Sequence, residues 1–305
     1  MGSTEERESQ ATERSGRGPG PDGGRRRGGA QLVFDVVGVE RLSPQLVRIH
    51  LGGDAFHAFV AAADPERLAK SDKYVKILFA KPGLGLEPPY DLDALRTTLS
   101  PDDMPVQRTY TVRSVDFEAR TLAIDFVVHG DEGIAGPWAA AAVPGDRLCF
   151  SGPGGQYAPS TADVDYLFIG DDSAIPAIAA ALEALPSTAR GLALIEVESG
   201  ANEVSLSAPA GVDLRWIRRR SDDGARADYG MALVAAVQAL APPTKAVDVF
   251  AHGEREAMKD LRRILNTEWG LDRRSMSLSA YWAKGRSEDR FQAEKREPIG
   301  QIFED

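Results

Sequence analysis

Residues 108–113, Arg-Thr-Tyr-Thr-Val-Arg, put two guanidiniums, an aromatic ring and two hydroxyls on one apolar-polar alternation. Packing alone does not call for that mixture. It suits a flat, aromatic, anionic ligand, because arginine pairs with phosphate, tyrosine lies against a ring and threonine hydrogen-bonds ring nitrogens. A flavin dinucleotide is such a ligand. The same letters also describe a strand with a solvated basic face. On an ideal strand Arg108, Tyr110 and Val112 share one face and Thr109, Thr111 and Arg113 the other. A single ligand touching both Tyr110 and Thr111 therefore requires the strand to bend or end there.

Downstream, Phe126-Val127-Val128-His129-Gly130 passes through a glycine-rich loop into Gly136-Pro137-Trp138-Ala139-Ala140. This reads as a strand, a loop and a helix opened by Pro137. Glycines let a backbone approach an anion, and a helix start presents unpaired N–H groups to it, so the loop is a second pyrophosphate contact. The alternative is a polar connection with Trp138 packed in the core. Gly152-Pro153-Gly154-Gly155 precedes no helix and reads as an interdomain turn. In Gly170-Asp171-Asp172-Ser173-Ala174-Ile175-Pro176 the carboxylates oppose a pyrophosphate, and Asp172 or Ser173 also suits a helix cap. Arg218-Arg219-Arg220 favours a ribose 2′-phosphate and hence NADPH, whereas Glu196 and Glu198 favour a free ribose diol.

Six β-type runs must position the first of these groups: residues 32–37, 46–51, 74–79, 108–113, 122–128 and 147–150. With few helices among them they predict an antiparallel barrel. After about Asp163 strands alternate with helices, which predicts a parallel sheet in an α/β domain. The expected division is a disordered, Gly- and Arg-rich tail over 1–30, a barrel over 31–160 and an α/β domain with a C-terminal extension over 161–305.

The 305 residues carry a formal net charge of −10, which argues against nucleic acid as the main partner. One cysteine, Cys149, excludes an internal disulfide and a four-thiolate cluster, and four scattered histidines have no ligand spacing. No protein-held metal is predicted. No apolar run is long enough to span a bilayer and the N-terminus has no apolar signal core, so a cytoplasmic, monomeric protein is expected.

Arg-x-Tyr-Thr-x-Arg at 108–113, Phe-Val-x-His-Gly at 126–130 with its Gly-Pro-x-x-Ala loop, Gly170-Asp171 with Ala174-x-Pro176-Ala177, and Tyr281-Trp282-x-x-Gly285-Arg286-x-Glu288 stand in this order. Together they resemble the siderophore-interacting proteins, flavin-dependent ferric-siderophore reductases related to ferredoxin reductases. The resemblance covers nearly everything after residue 30. It implies an FAD-binding barrel, an NAD(P)H-type domain and reduction of Fe(III) in a chelate, with NADPH or NADH as donor and a ferredoxin as a further partner. By position, Arg108, Tyr110, Thr111 and Arg113 look like the flavin strand, and His129 and Gly130 like flavin-edge contacts. Gly136, Pro137, Trp138 and Ala139 look like part of the pyrophosphate cradle. Gly170, Asp171, Ser173 and Arg218 fall in the donor region, and Lys76, Lys284 and Arg286 suit an anionic ferric siderophore. Asp172 and Ser173 depart from the family's commoner acidic-Thr pair, which leaves the donor open.

The chemistry explains why such a protein needs no catalytic acid or nucleophile. Hard Fe(III) is held by oxygen donors far more strongly than Fe(II), so reduction releases the metal. A nicotinamide gives two electrons and iron takes one, and a flavin mediates between them. Two other readings fit the same residues: a general flavin reductase passing electrons to a ferredoxin, and a non-catalytic protein that binds a ferric chelate.

Overall fold

The computed structural model describes residues 30–130, 133–221 and 224–303. The expected tail over 1–30 lies outside the described residues except for Ala30.

The six expected runs form β1 (Leu32–Ser43), β2 (Leu46–Gly52), β3 (Tyr74–Phe79), β4 (Val106–Asp116), β5 (Thr121–Val127) and β6 (Arg147–Gly154). They close into an antiparallel barrel in the order β1-β2-β5-β4-β3-β6. Period-two alternation turns one face of each strand inward. The inward set includes Phe34, Ile49, Ile77, Val112, Ile124 and Phe150, all fully buried. Phe34 and Phe150 stack at 4.8 Å, so β1 and β6 are joined through the core as well as by their ladder. Three helices decorate the barrel: α1 (Ala55–Ala62), α2 (Pro65–Leu68) and α3 (Leu92–Thr98). α4 (Ala135–Ala141) follows β5. It begins two residues before Pro137, where the sequence placed its start, and is only two turns long.

The second half is a parallel sheet in the order β11-β10-β7-β8-β9. Its strands are β7 (Asp165–Gly170), β8 (Arg190–Val197), β9 (Gly211–Arg218), β10 (Val247–Glu254) and β11 (Met276–Trp282). The helices are α5 (Ile175–Ala184), α6 (Met231–Gln238), α7 (Arg255–Arg262), which continues as a π-helix over Arg263–Glu268, and α8 (Glu288–Glu294). The strand order reverses between β7 and β10, and α/β folds gather ligands at the carboxyl ends of strands flanking such a reversal. β8 and β9 are joined by a 3-10 turn and an extended segment rather than a helix.

The two halves share packing as well as ion pairs. Leu46 and Val127 of the barrel pack into the core formed by β7, α5 and β10. Gly154 still lies within β6, opposite Tyr74, and a Cβ there would collide with the Tyr74 ring. The expected interdomain turn is therefore the end of a barrel strand over which an aromatic ring lies. No helix among the described residues is long and apolar enough to cross a membrane.

Candidate functional site

A cleft of about 1250 Å³ runs between the barrel and the α/β half. Its barrel wall is β3 and β4, with Tyr74, Lys76, Arg108, Thr109, Tyr110 and Thr111, completed by His129 and the 133–136 loop. The facing wall is the ends of β7 and β10, the length of β11, and α8.

Tyr110 and Thr111 both reach the cleft because β4 changes register just beyond them, between Val112 and Ser114. A bulge of this kind re-aims side chains, which is the bend a shared ligand requires. The Tyr110 ring lies 4.4 Å from that of Phe126. Burial, with Glu288 nearby, pushes its hydroxyl well above the ordinary range, so it stays protonated. Across the cleft, burial does the same to Tyr281, whose hydroxyl lies near Asp72 and Thr111. Two aromatic rings and a threonine hydroxyl thus surround one space, a donor set that suits a flat heterocycle.

Arg108 donates to Gln107 O at 2.7 Å and reaches Asp289 of α8 at 3.1 Å. That pair is half-open and holds α8 against the barrel. Lys76 lies on β3 opposite Thr109, is exposed, and has no ion-pair or hydrogen-bond partner among the described residues. Lys284 donates to both oxygens of Asp228 at 2.6 Å, and Arg286 to Glu294 at 2.8 Å. Glu294 also accepts from Arg255 and Arg290. Arg255 foremost holds its carboxyl down at about 2.

The remaining sequence candidates divide. His129 and Gly136 line the cleft, and burial lowers His129 below the usual histidine range, leaving it neutral at pH 7. Pro137 and Ala139 do not line the cleft, and Ala139 is buried in the barrel core. Trp138 packs its ring 5.6 Å from Phe79 and 5.7 Å from Phe126, the core role the sequence held as the alternative. Gly130 has a φ of 55° and turns the chain at the loop's start. Arg113 does not join the cleft wall. It pairs with Glu183 of α5, because α5 packs over that part of β4 and brings a carboxylate which no local pattern at 108–113 reveals.

The donor-region candidates are mostly structural. Asp171 accepts from Ser173 N–H and Oγ–H, from Glu254 N–H and from the Trp282 indole, and so ties β7, β10 and β11 together at their carboxyl ends. Ser173 reaches the cleft and is held by that contact. Gly170 is required by packing, since a Cβ there would stand 2.6 Å from Ala174 Cβ and 3.0 Å from His252 O. Arg218 points to Glu203 at 2.8 Å and lies outside the cleft. The middle arginine of the triplet is the buried one: Arg219 reaches Asp172 at 3.0 Å, Glu196 at 3.3 Å and Glu198 at 3.4 Å, with the Tyr229 ring 4.5 Å from its guanidinium carbon. Glu196 also accepts from Gly230 and Leu233 N–H at the start of α6. Burial raises Asp172 to about 6 against the pull of Arg219.

Sequence reasoning missed several cleft residues: Asp72, Tyr74, His252, Arg273, Lys295 and Phe303. His252 was visible only as one of four scattered histidines; it stacks on Phe250 at 4.0 Å and donates to or accepts from Ser277 Oγ at 2.9 Å. Arg273, Lys295 and Phe303 come from the C-terminal segment and carry no motif.

A closed antiparallel barrel joined to a parallel five-stranded sheet is a ferredoxin-reductase-like architecture. Residues 35–157 match the siderophore-interacting FAD-binding domain, and residues 164–285 match the siderophore-interacting protein family. The chain belongs to that family. An uncharacterized protein of Mycobacterium tuberculosis (strain ATCC 25618 / H37Rv) is 42% identical over 278 residues, covering 87% of this chain and 94% of that one. The ferric vibriobactin reductase ViuB of Vibrio cholerae serotype O1 is 30% identical over 276 residues, covering 89% and 96%. The NADPH-dependent ferric-chelate reductase of Escherichia coli (strain K12) is 29% identical over 251 residues, covering 81% and 91%. Among solved structures, a siderophore utilization protein from T. fusca superposes with a TM-score of 0.70 at 35% identity, covering 85% and 94%. The two family matches place the chain in the FAD-binding, siderophore-interacting class, and two of the relatives are named as reductases.

Proposed function

We propose that this protein reduces a ferric siderophore, with Tyr110, Thr111 and Tyr281 seating the ring of FAD and Lys76 drawing in the anionic chelate. When bound, FAD supplies the exchange between a two-electron nicotinamide donor and a one-electron iron acceptor. Arg108 pairs with the pyrophosphate, and the 133–136 backbone closes over it. Lys76 attracts the chelate to the barrel side of the cleft, while Lys284 and Arg286 line it already paired with Asp228 and Glu294. His129, neutral at pH 7, offers one donor and one acceptor. Rate comes from placing the chelate close to the ring, and no side chain is required to carry a proton.

One observation carries this reading: a lysine with no ion-pair partner among the described residues shares a cleft with the Arg108-Tyr110-Thr111 set, in a chain of net charge −10. The name of the E. coli relative supports NADPH as the donor. A reduced ferredoxin-type carrier is the second reading, favoured by the carboxylates at the end of β7, which are committed to Arg219 and to neighbouring N–H groups. Anaerobic mixing tests both. The FAD-loaded protein is mixed in turn with NADPH, NADH and reduced ferredoxin, and then with a ferric catecholate. Bleaching of the flavin by one donor and recovery on adding the chelate is expected. A protein that takes up no FAD, or a bleached flavin that the chelate never reoxidises, overturns the proposal.

A further inference from the structure

The parallel sheet ends in two edge strands, β11 and β9, and the two edges differ. β11 lines the cleft, and its ladder with β10 is broken by a register shift between Gly253 and Glu254. β9 pairs with β8 and with no other strand among the described residues, over eight consecutive residues from Gly211 to Arg218 without a shift. A long, regular edge offers a row of backbone donors and acceptors to another strand, and proteins blunt such edges with proline, lysine or a bulge. β9 contains no proline or lysine, and its ladder has no bulge.

Its side chains are ordered about Leu214. Asp213 and Arg215 stand on one face of the strand, 55% and 53% exposed, and pair with each other at 2.5 Å. Val212, Leu214 and Trp216 take the other face; Val212 is buried, whereas Leu214 and Trp216 are only half-buried against the core that β8 shares with α5. Two antiparallel copies related by a two-fold axis at Leu214 bring each Asp213 opposite the partner's Arg215 and each Trp216 opposite the partner's Val212. A two-fold axis perpendicular to the sheet keeps every side chain on its own face, so the neighbouring registers are centred on residues 213 and 215. The first sets Asp213 against Asp213 and the second Arg215 against Arg215. Of these three registers, the Leu214 one alone matches unlike charges.

We propose that two copies of this chain associate antiparallel along β9, about a two-fold axis at Leu214, into one continuous sheet, in place of the monomer expected from the sequence. Backbone pairing supplies the affinity and the charge pattern sets the register. A contact of this kind uses the same patch on both copies and closes on itself, so assembly stops at the dimer. No residue of β9 lines the cleft, which makes association separable from ligand binding.

Sedimentation of the full chain at low salt, between about 1 and 100 µM, tests this. The parent should pass from monomer to dimer as concentration rises. Asp213→Arg and Arg215→Asp each set like charges across the axis twice, and each should weaken self-association about tenfold or more. Mixed in equal amounts, these two variants should form a heterodimer, since one copy then carries two arginines and the other two aspartates. The double exchange Asp213→Arg/Arg215→Asp should dimerise as the parent does. Both positions are largely exposed, so far-UV circular dichroism of every variant should match the parent. A parent that stays monomeric over this range overturns the proposal. So do single variants that dimerise like the parent, or that fail to associate when mixed.

Discussion

The two walls of the cleft are finished to different degrees. At the carboxyl ends of β7 and β8, Asp171 is met by four donors, and Asp172, Glu196 and Glu198 close around one buried arginine. On the barrel wall, Lys76 has no partner among the described residues, and Tyr110 and Thr111 line the cleft beside it. Charged groups at both places look alike in sequence. What separates them is whether the fold already supplies their counterparts: a satisfied cluster holds the structure, and an unsatisfied one awaits a ligand.

The contrast breaks most sharply at Arg219. Arg219→Leu leaves Asp172 and Glu196 buried without their cation, and unfolding in urea at pH 7 should show a loss of about 3–5 kcal/mol. FAD affinity of the remaining folded protein should stay within about twofold. A variant as stable as the parent would mean that the carboxylates are compensated by something other than Arg219.

Next in size is a pH effect at the same cluster. Asp172 is raised from 3.8 to about 6 by burial, so between these values the folded protein holds a proton that the unfolded chain has released. Its contribution to stability is therefore complete below about pH 4 and lost as pH rises through 6. The shift corresponds to roughly 2–3 kcal/mol. Asp172→Asn should flatten that part of the stability curve between pH 4 and 7; superimposable slopes for variant and parent would rule it out.

On the other wall the expected loss is in ligand, not in fold. Arg108→Ala should lower FAD affinity by about 10- to 100-fold, from a charge-assisted pair of roughly 1.5–3 kcal/mol. Its effect on the flavin-free protein should be within about 1 kcal/mol, since Asp289 is largely exposed. Fluorescence titration and urea unfolding of the same preparation separate the two. A drop in stability with unchanged FAD affinity would move Arg108 to the structural side of the comparison.

This difference also explains what the sequence could and could not tell. The strand Tyr74–Phe79 was legible because burial on one face imposes period two, Thr121–Val127 because it is an apolar run buried on both faces, and the mixture at 108–113 because packing has no use for it. The role of Arg113 was not, because Glu183 lies 70 residues away on a helix whose docking no local pattern fixes. Which arginine of 218–220 turns inward was equally hidden. Arg219 is buried by Glu196 and Asp172, which come from two other segments. α8 begins at Glu288, the last residue of the final recognised motif, and the rest of it, with Phe291 and then Lys295, lies beyond that motif. The bulge after Val112 could be named as a requirement of shared ligand contact, yet only the pairing of β4 with β5 locates it.

The smallest effect is the most specific test of the open wall. Lys76 is exposed and has no partner among the described residues, so Lys76→Ala should leave stability within about 0.5 kcal/mol and FAD affinity unchanged. Its role is attraction of an anionic chelate across solvent, where one exposed pair contributes roughly 0.2–1 kcal/mol. That predicts a fall in kcat/KM of about two- to fivefold at low salt, with kcat nearly constant because the reaction at the ring is untouched. Screening sharpens the assignment: at about 1 M ionic strength the Debye length shrinks to about 3 Å, and variant and parent should converge. Lys76→Arg should keep the parent rate, and an uncharged ferric chelate should not distinguish any of the three proteins. Equal kcat/KM for Lys76→Ala and parent with the anionic chelate at low salt would show that Lys76 does not attract the chelate. The difference between the walls would then rest on Arg108, Tyr110 and Thr111.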